Sequence, residues 1–319
     1  MSEAVGLGQA VAALHAGDAI GFPTETVYGL GADASNSAAV RRIFALKGRP
    51  ASHPLIVHLA DAAALGEWAT RVPETARRLA RTFWPGPLTL VLPRAPGVLD
   101  EVTGGQPTVG LRVPAHPLAL ALLAAFGGGI AAPSANRYGR VSPTSAAHVR
   151  AEFGAEVALV LDGGECSVGL ESTIVSCVGE PLLLRPGGIA LADLEAVAGP
   201  IRRAERGEGP RAPGTLAAHY APRTPLRVLP REALASAAGA AVAVLARMPR
   251  PANYSGPLWI ASAGDAIRFG HDLYADLRRL DASGAAAIVV EEVPAGDGWD
   301  AVRDRLARAA AACDAEDLA

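Results

Sequence analysis

Lysine is almost missing from this chain. Of 29 basic residues, 28 are arginine, and Lys47 is the one lysine. Aromatic side chains are also scarce, at 5 %, and the net charge is −3. A nucleic-acid surface built on basic patches and stacking platforms is therefore not expected, and neither is direct tRNA binding. The three cysteines, Cys166, Cys177 and Cys313, are odd in number and lack zinc-type spacing. They read as reduced, buried thiols of a cytoplasmic protein. The start, Met1-Ser2-Glu3-Ala4, has neither the basic nor the apolar region of a secretory signal. The longest uncharged stretch, residues 117–135, is interrupted by Gly127-Gly128-Gly129 and Pro133. It reads as helix, turn and buried strand, so no membrane association is expected. Walker A, Gly-x-Ser-x-Gly and His-Glu-x-x-His patterns are all missing. His53 and His58, read on one strand, would face opposite ways, so no protein metal site is assigned.

What is present begins with Phe22-Pro23-Thr24-Glu25-Thr26-Val27-Tyr28-Gly29-Leu30-Gly31. An apolar strand over residues 19–22 breaks at proline into hydroxyls, one carboxylate and two close glycines. Gly29 and Gly31 are expected to allow positive φ and close backbone approach, which suits a polar ligand cradle. Ser35-Asn36-Ser37 caps a helix with Val40, Ile43, Phe44 and Lys47 on one face, stopped by Gly48. Lys47 and Arg49 then project from one corner. A compact ammonium suits phosphate where a guanidinium fork does not fit, although a solvated helix end would also explain it.

At 319 residues the chain is read as two domains joined by a linker. Residues 1–200 mix strands and helices without regular βαβ rhythm, which predicts an open, twisted mixed sheet with flanking helices. Strands are expected near residues 55–59, 88–92, 108–113, 130–132, 157–161, 172–178 and 182–184. Pro73 is expected at a first helical position, and Ser142-Pro143-Thr144 as a helix cap. Residues 201–224, charged and rich in Gly and Pro, read as a linker. Residues 225–319 alternate strands with helices such as that bearing Phe269, Leu273, Leu277 and Leu280. This predicts a small, Rossmann-like parallel α/β domain.

Four strand ends finish in small polar residues: Thr24 and Thr26, Ser134 and Asn136, Ser142, and Ser172 with Thr173. In one sheet they would ring a single concave mouth, with Lys47, Arg49, Arg112 and Arg185 as its cations. Such a mouth suits an anionic, hydroxyl-bearing ligand such as a nucleotide. Arg112 could equally be solvated, or pair with Glu25 or Glu171.

Residues 22–31, 47–58, 83–92, 130–144 and 170–188 together resemble the YrdC-like threonylcarbamoyl-adenylate synthases. The segment Ala212-Pro213-Gly214-Thr215-Leu216-Ala217-Ala218-His219-Tyr220-Ala221-Pro222 resembles the linker of the family's longer, two-domain Sua form. The resemblance implies synthesis of L-threonylcarbamoyl-AMP from L-threonine, bicarbonate and ATP with release of pyrophosphate. It implies Mg2+ arriving with ATP, and hand-over of the product to the threonylcarbamoyl transferase complex that modifies adenosine 37 of tRNA. Thr24 or Thr26, His58, Arg112 and Ser172 would hold threonine, with Thr108 and the backbone at Ala132 lining that pocket. Lys47, Arg49, Ser134, Asn136, Ser142 and Arg185 would hold ATP, and Tyr220 would close as a lid. His53 stands where several relatives have Asn, and Thr215 where the family has Met. An RNA-binding module and a carbamoyl transferase of the hydrogenase-maturation type are the alternatives; the latter carries extra acylphosphatase-like and zinc-finger regions not seen in this sequence.

Overall fold

The computed structural model describes residues 3–316 apart from positions 158, 206, 217, 238, 240, 263 and 297. The side chain of Cys313 also lies outside the described residues. Two compact units emerge. The first takes the chain to Tyr138, then Pro143–Ser167 and Glu171–Thr215. The second takes Gly139–Ser142, Val168–Leu170 and the chain from Leu216.

The first unit contains strands β1 (Ile20–Phe22), β2 (Gly29–Asp33), β3 (Ile56–His58), β4 (Leu88–Pro93), β5 (Thr108–Arg112), β6 (Ile130–Ala131), β7 (Thr173–Ser176), β8 (Leu182–Arg185) and β9 (Arg202–Arg203). Its helices are α1 (Glu3–His15), α2 (Ser37–Lys47), α3 (Leu65–Trp68), α4 (Glu74–Phe83), α5 (Asp100–Thr103), α6 (Pro117–Phe126), α7 (Ala146–Phe153) and α8 (Leu191–Ala198). Among the described residues the strands form one mixed sheet in the order β1-β2-β6-β3-β5-β4-β7-β8-β9.

Helix α2 follows its sequence signals closely. The Asn36 side chain accepts from the N–H groups of Ala38 and Ala39, and Gly48 closes the helix at φ 64°. Val40, Ile43, Phe44 and Lys47 are all buried. Elsewhere the boundaries shift. Pro73 is the N-cap of α4 rather than its first helical residue, and Ser145, not Ser142, caps α7. The strand read at residues 157–161 includes Ala158, which lies outside the described residues; Val160 makes a single bridge to Gly21. Within the stretch read as linker, Arg202 and Arg203 pair with Leu182 and Leu183 and extend the sheet.

One sheet face is core throughout. Val57, Leu90, Leu92, Val109, Leu111 and Val175 pack there with Val40, Ile43, Phe44 and Leu79. The other face is divided. Near β1 it is covered by α1 and α6, with Phe22, Ile130 and Ala132 against Leu14, Leu118 and Leu122. Past β6, among the described residues, Ile56, Val91 and Ile174 cluster with Ala212 and Leu184. This second stretch of the face holds the polar residues described below.

The second unit has β10 (Leu226–Leu229), α9 (Arg231–Ala237), β11 (Val242–Ala246), β12 (Trp259–Ala261), α10 (Ala266–Asp281), β13 (Ala287–Glu291) and α11 (Asp300–Glu316). Its sheet, β10-β13-β11-β12, is parallel at every pairing. Phe269, Leu273, Leu277 and Leu280 are buried along one side of α10, as the helical spacing requires. Among the described residues no helix is long and apolar enough to cross a membrane.

Gly29 and Gly31 lie inside β2 without positive φ. A Cβ at Gly31 would stand 2.7 Å from the Phe22 ring and 2.8 Å from Ile130, and one at Gly29 2.9 Å from Phe22. These glycines therefore make room for an aromatic side chain in the core, not for a ligand. Gly31→Ala is expected to destabilise by about 1–3 kcal/mol through overpacking, read as a lower urea midpoint at unchanged m-value.

Candidate active site

The polar strand ends do not share one edge of the sheet. Strands β3, β5 and β8 run opposite to β1, β4, β6 and β7. The breaks after β1 and β6 therefore lie at one end of the sheet. The ends of β3, β5 and β8, with the start of β7, lie at the other. Strand direction is set by long-range pairing, which local sequence does not encode. What unites the two groups is a face. Ile56 and His58 pair with Gly110 and Arg112, and Leu111 with Leu90. Alternation then puts Thr108, Gly110 and Arg112 on one side with Thr89, Val91 and Ile174.

At the first end, the only lysine is almost fully buried. Lys47 Nζ donates to the carbonyls of Ser134 at 2.6 Å and Asn136 at 2.5 Å. Burial, then the neighbouring Arg49, lowers its pKa well below the ordinary value. Arg49, also buried, donates from Nη2 to Pro54 O at 3.0 Å. His53 Nδ1 lies 3.3 Å from Tyr138 Oη, and burial followed by Arg49 lowers its pKa. His53 is in a turn, not on the strand with His58. The loop at residues 133–136 is fastened by Pro133 O accepting from Leu30 N–H and Ala135 N–H donating to Tyr28 O. The Ala132 N–H is committed to Ile56 O at 2.9 Å.

The loop after β1 nevertheless reaches from the first end to the end of β5, where the charged centre is a buried pair. Arg112 Nη2 stands 2.7 Å from Glu25 Oε1, with side chains 4 % and 7 % exposed. Of the three readings for Arg112, pairing with Glu25 is the one found. Glu25 also accepts from the Ala115 N–H, and Arg112 Nε donates to Gly86 O. The loop carrying Glu25 is folded on itself: Thr24 Oγ1 donates to Val27 O and accepts from the N–H groups of Thr26 and Val27, with Thr26 Oγ1 at 2.8 Å. His58, the pairing neighbour of Arg112, is buried, and its Nδ1 has no hydrogen-bond partner among the described residues. Burial, then Arg112, pushes its pKa down to about 3. His58 is thus held as a neutral imidazole.

Ser172 and Arg185 complete this end. Ser172 Oγ accepts from Arg185 Nη2 at 3.1 Å and lies 2.8 Å from Thr89 Oγ1. Arg185 further holds Ser172 O and, through Nη1, Pro213 O. A Cβ at Gly187 would lie within 2.4 Å of the 171–173 backbone, so only glycine lets these two segments pack. Residues 211–213 return onto this unit: Gln106 and Arg211 exchange hydrogen bonds, and Ala212 covers Ile56 and Val91. Thr89 and Tyr138 were not anticipated; Thr89 could have been found as the one hydroxyl in the apolar run 88–92. Thr108 is buried on the same face as Arg112.

Ser142 and Tyr220 belong to the second unit. Tyr220 takes φ 64°, stacks on Tyr274 at 5.8 Å and sits under the Arg305 guanidinium at 5.1 Å. Cys166 and Cys177 are buried free thiols pushed up to about 12 by burial, which leaves them chemically quiet.

A family model described as telomere recombination matches residues 12–187, and one described as the threonylcarbamoyl-AMP synthase C-terminal domain matches residues 189–311. Together they define a two-domain protein with a YrdC-type mixed sheet and a parallel α/β partner. The chain is 41 % identical to the threonylcarbamoyl-AMP synthase of Bacillus subtilis, over 95 % of this chain and 92 % of that protein. It is 40 % identical to that of Pyrococcus abyssi, over 93 % and 91 %. The crystal structure of P. abyssi Sua5 complexed with L-threonine matches with a TM-score of 0.89 and 38 % identity, covering 98 % of this chain and 96 % of that one. This chain belongs to the threonylcarbamoyl-AMP synthase family, enzymes that make an acyl-adenylate by nucleotidyl transfer.

His58 gives a pH signature. The unfolded chain takes up a proton at this histidine near pH 6.5, whereas the folded chain resists it to about pH 3. The unfolded state binds more protons within that window, so stability falls as pH drops through it. His58→Gln should flatten this part of the stability–pH curve, measured by urea unfolding from pH 7 to 4. An unchanged slope would show that His58 is not held neutral.

Proposed function

We propose that this chain condenses L-threonine, bicarbonate and ATP to L-threonylcarbamoyl-AMP and pyrophosphate, for modification of adenosine 37 of tRNA. One observation carries the reading: the same unit holds a buried Arg112–Glu25 pair and, separately, a buried Lys47 and Arg49 beside the 134–136 loop. The Arg112 end suits an amino acid. A zwitterion presents a carboxylate to Arg112 and an ammonium to Glu25, so it complements both members of the buried pair. His58, Ser172, and Thr24 or Thr26 would take its remaining polar groups.

The Lys47 end suits phosphates. Lys47, Arg49, His53, Ser134 and Asn136 offer ammonium, guanidinium, imidazole, hydroxyl and amide groups, a set for an anion rather than a bare metal ion. Mg2+ would therefore be held by the phosphates of ATP, where it neutralises charge on the leaving group. Arg185 would reach the nucleotide from the far end of the face. For Ser142 and Tyr220 the nucleotide role rests on family resemblance. The product would pass to the threonylcarbamoyl transferase complex.

No covalent nucleophile is invoked. The protein aligns two anions and supplies fixed positive charge to the departing pyrophosphate. Pyrophosphate release should need both L-threonine and bicarbonate; release indifferent to threonine would overturn the reading. Lys47→Ala should lower kcat by about 10- to 1,000-fold, measured by the same assay at saturating substrates. Near-native kcat would remove Lys47 from the transition state.

A further inference from the structure

Among the described residues four glycines lie within strands, and at three of them a Cβ would crowd its neighbours. A Cβ at Gly21 would press on Val149 and Val160 at 3.1 Å, and those at Gly29 and Gly31 on Phe22. Gly110 differs. Its φ is not positive, and a Cβ there would meet Thr89 Cγ2 at 3.5 Å, Ile56 Cγ1 at 3.6 Å and Leu55 O at 3.8 Å. These are ordinary contacts. A strand-interior glycine costs about 0.5–1 kcal/mol relative to alanine, so the fold alone would favour a side chain here.

The location gives a reason for its omission. Gly110 lies midway on β5 between Thr108 and Arg112, about 7 Å from each at ~3.3 Å per residue. One direction leads to Pro54 and Arg49, the other to Arg112 and His58. Its cross-strand partners are Ile56 and Val91, both buried and apolar. Gly110 itself is part-exposed between them. The missing side chain thus leaves bare backbone between the Thr108 and Arg112 ends of β5, flanked by Ile56, Val91 and the Thr89 methyl.

We propose that Gly110 is the floor of the place where the two substrates are joined. The inference rests on the functional reading above. Threonine's amine and bicarbonate form a carbamate with loss of water. A carbamate oxygen then bonds to the α-phosphorus, whose bond to the bridging oxygen breaks, the electron pair leaving with pyrophosphate. The crowded phosphorus needs lateral room at that moment. Apolar walls keep water from the labile mixed anhydride. Gly110 is a positioning residue: it touches the junction without donating or accepting anything.

The test separates binding from joining, using the full chain. Gly110→Ala and Gly110→Val are titrated calorimetrically with L-threonine alone and with α,β-methylene-ATP alone, then assayed for pyrophosphate release. Each binary Kd should stay within about threefold of native, while kcat falls about tenfold for Ala and about 100-fold or more for Val, with KM little changed. Loss of binding of either substrate alone would place Gly110 inside one half-site and overturn the proposal, as would native kcat in Gly110→Val. Thermal melts confirm folding; should the Val variant not fold, Gly110→Ala and Gly110→Ser carry the same comparison. Failure of the native chain to release pyrophosphate with threonine would instead sink the functional reading, independently of the variants.

Discussion

The buried Arg112–Glu25 pair organises this end of the molecule. Removing two charges from water costs several kcal/mol each, and a single contact rarely offsets that. Here the offset is distributed: Glu25 takes the Ala115 N–H and Arg112 gives Nε to Gly86 O. The pair draws the 23–28 loop to the end of β5, and it keeps a cation beside His58 that adds to burial in holding the imidazole neutral. Yet the closest atoms, Arg112 Nη2 and Glu25 Oε1, approach at 2.7 Å without a well-aligned hydrogen bond. Coulomb attraction is satisfied and directional bonding is not. Hydrogen-bond capacity is therefore kept in reserve at the very atoms that a zwitterion would engage.

The opposite end stores electrostatic energy differently. Lys47 and Arg49 are buried together, and each raises the cost of charging the other. Carbonyl oxygens from residues 134 and 136 offset part of that cost. A phosphate arriving there meets cations already desolvated and fixed, so little reorganisation remains for the reaction itself. The two ends thus differ in kind, a buried ion pair at one and two neighbouring buried cations at the other, so two dissimilar substrates can be told apart.

How much of this was readable in the sequence depended on range. Helix α2 was readable in full, because Asn36, Gly48 and the 40-43-44-47 spacing are local signals. The parallel second sheet followed from alternation of elements, although the 247–258 connection is not helical. The choice of residues gathered on the face was also readable, since Pro followed by hydroxyls marks a strand end. Their arrangement was not. Whether two strand ends share an edge depends on strand direction, fixed by pairing such as Ile56 with Gly110, some fifty residues apart. Gly29 and Gly31 were misread for the same reason: the Phe22 ring above them arrives from a neighbouring strand. Arg202 and Arg203 gave no strand signal because exposed edge residues carry no apolar alternation.

The near-total use of arginine makes position 47 informative in physical terms. The two carbonyl oxygens that Lys47 meets, at 2.5 and 2.6 Å, converge on one nitrogen at the end of an unbranched stem. A guanidinium is wider and planar, and it spreads its donors over three nitrogens. In a space this closed, an arginine would have to push apart the 134–136 loop to place any one N–H on both oxygens. That loop is itself stitched to residues 28 and 30 of the sheet, so the displacement would be transmitted to β2 and the Phe22 packing. An ammonium is the group that satisfies both carbonyls from a single nitrogen.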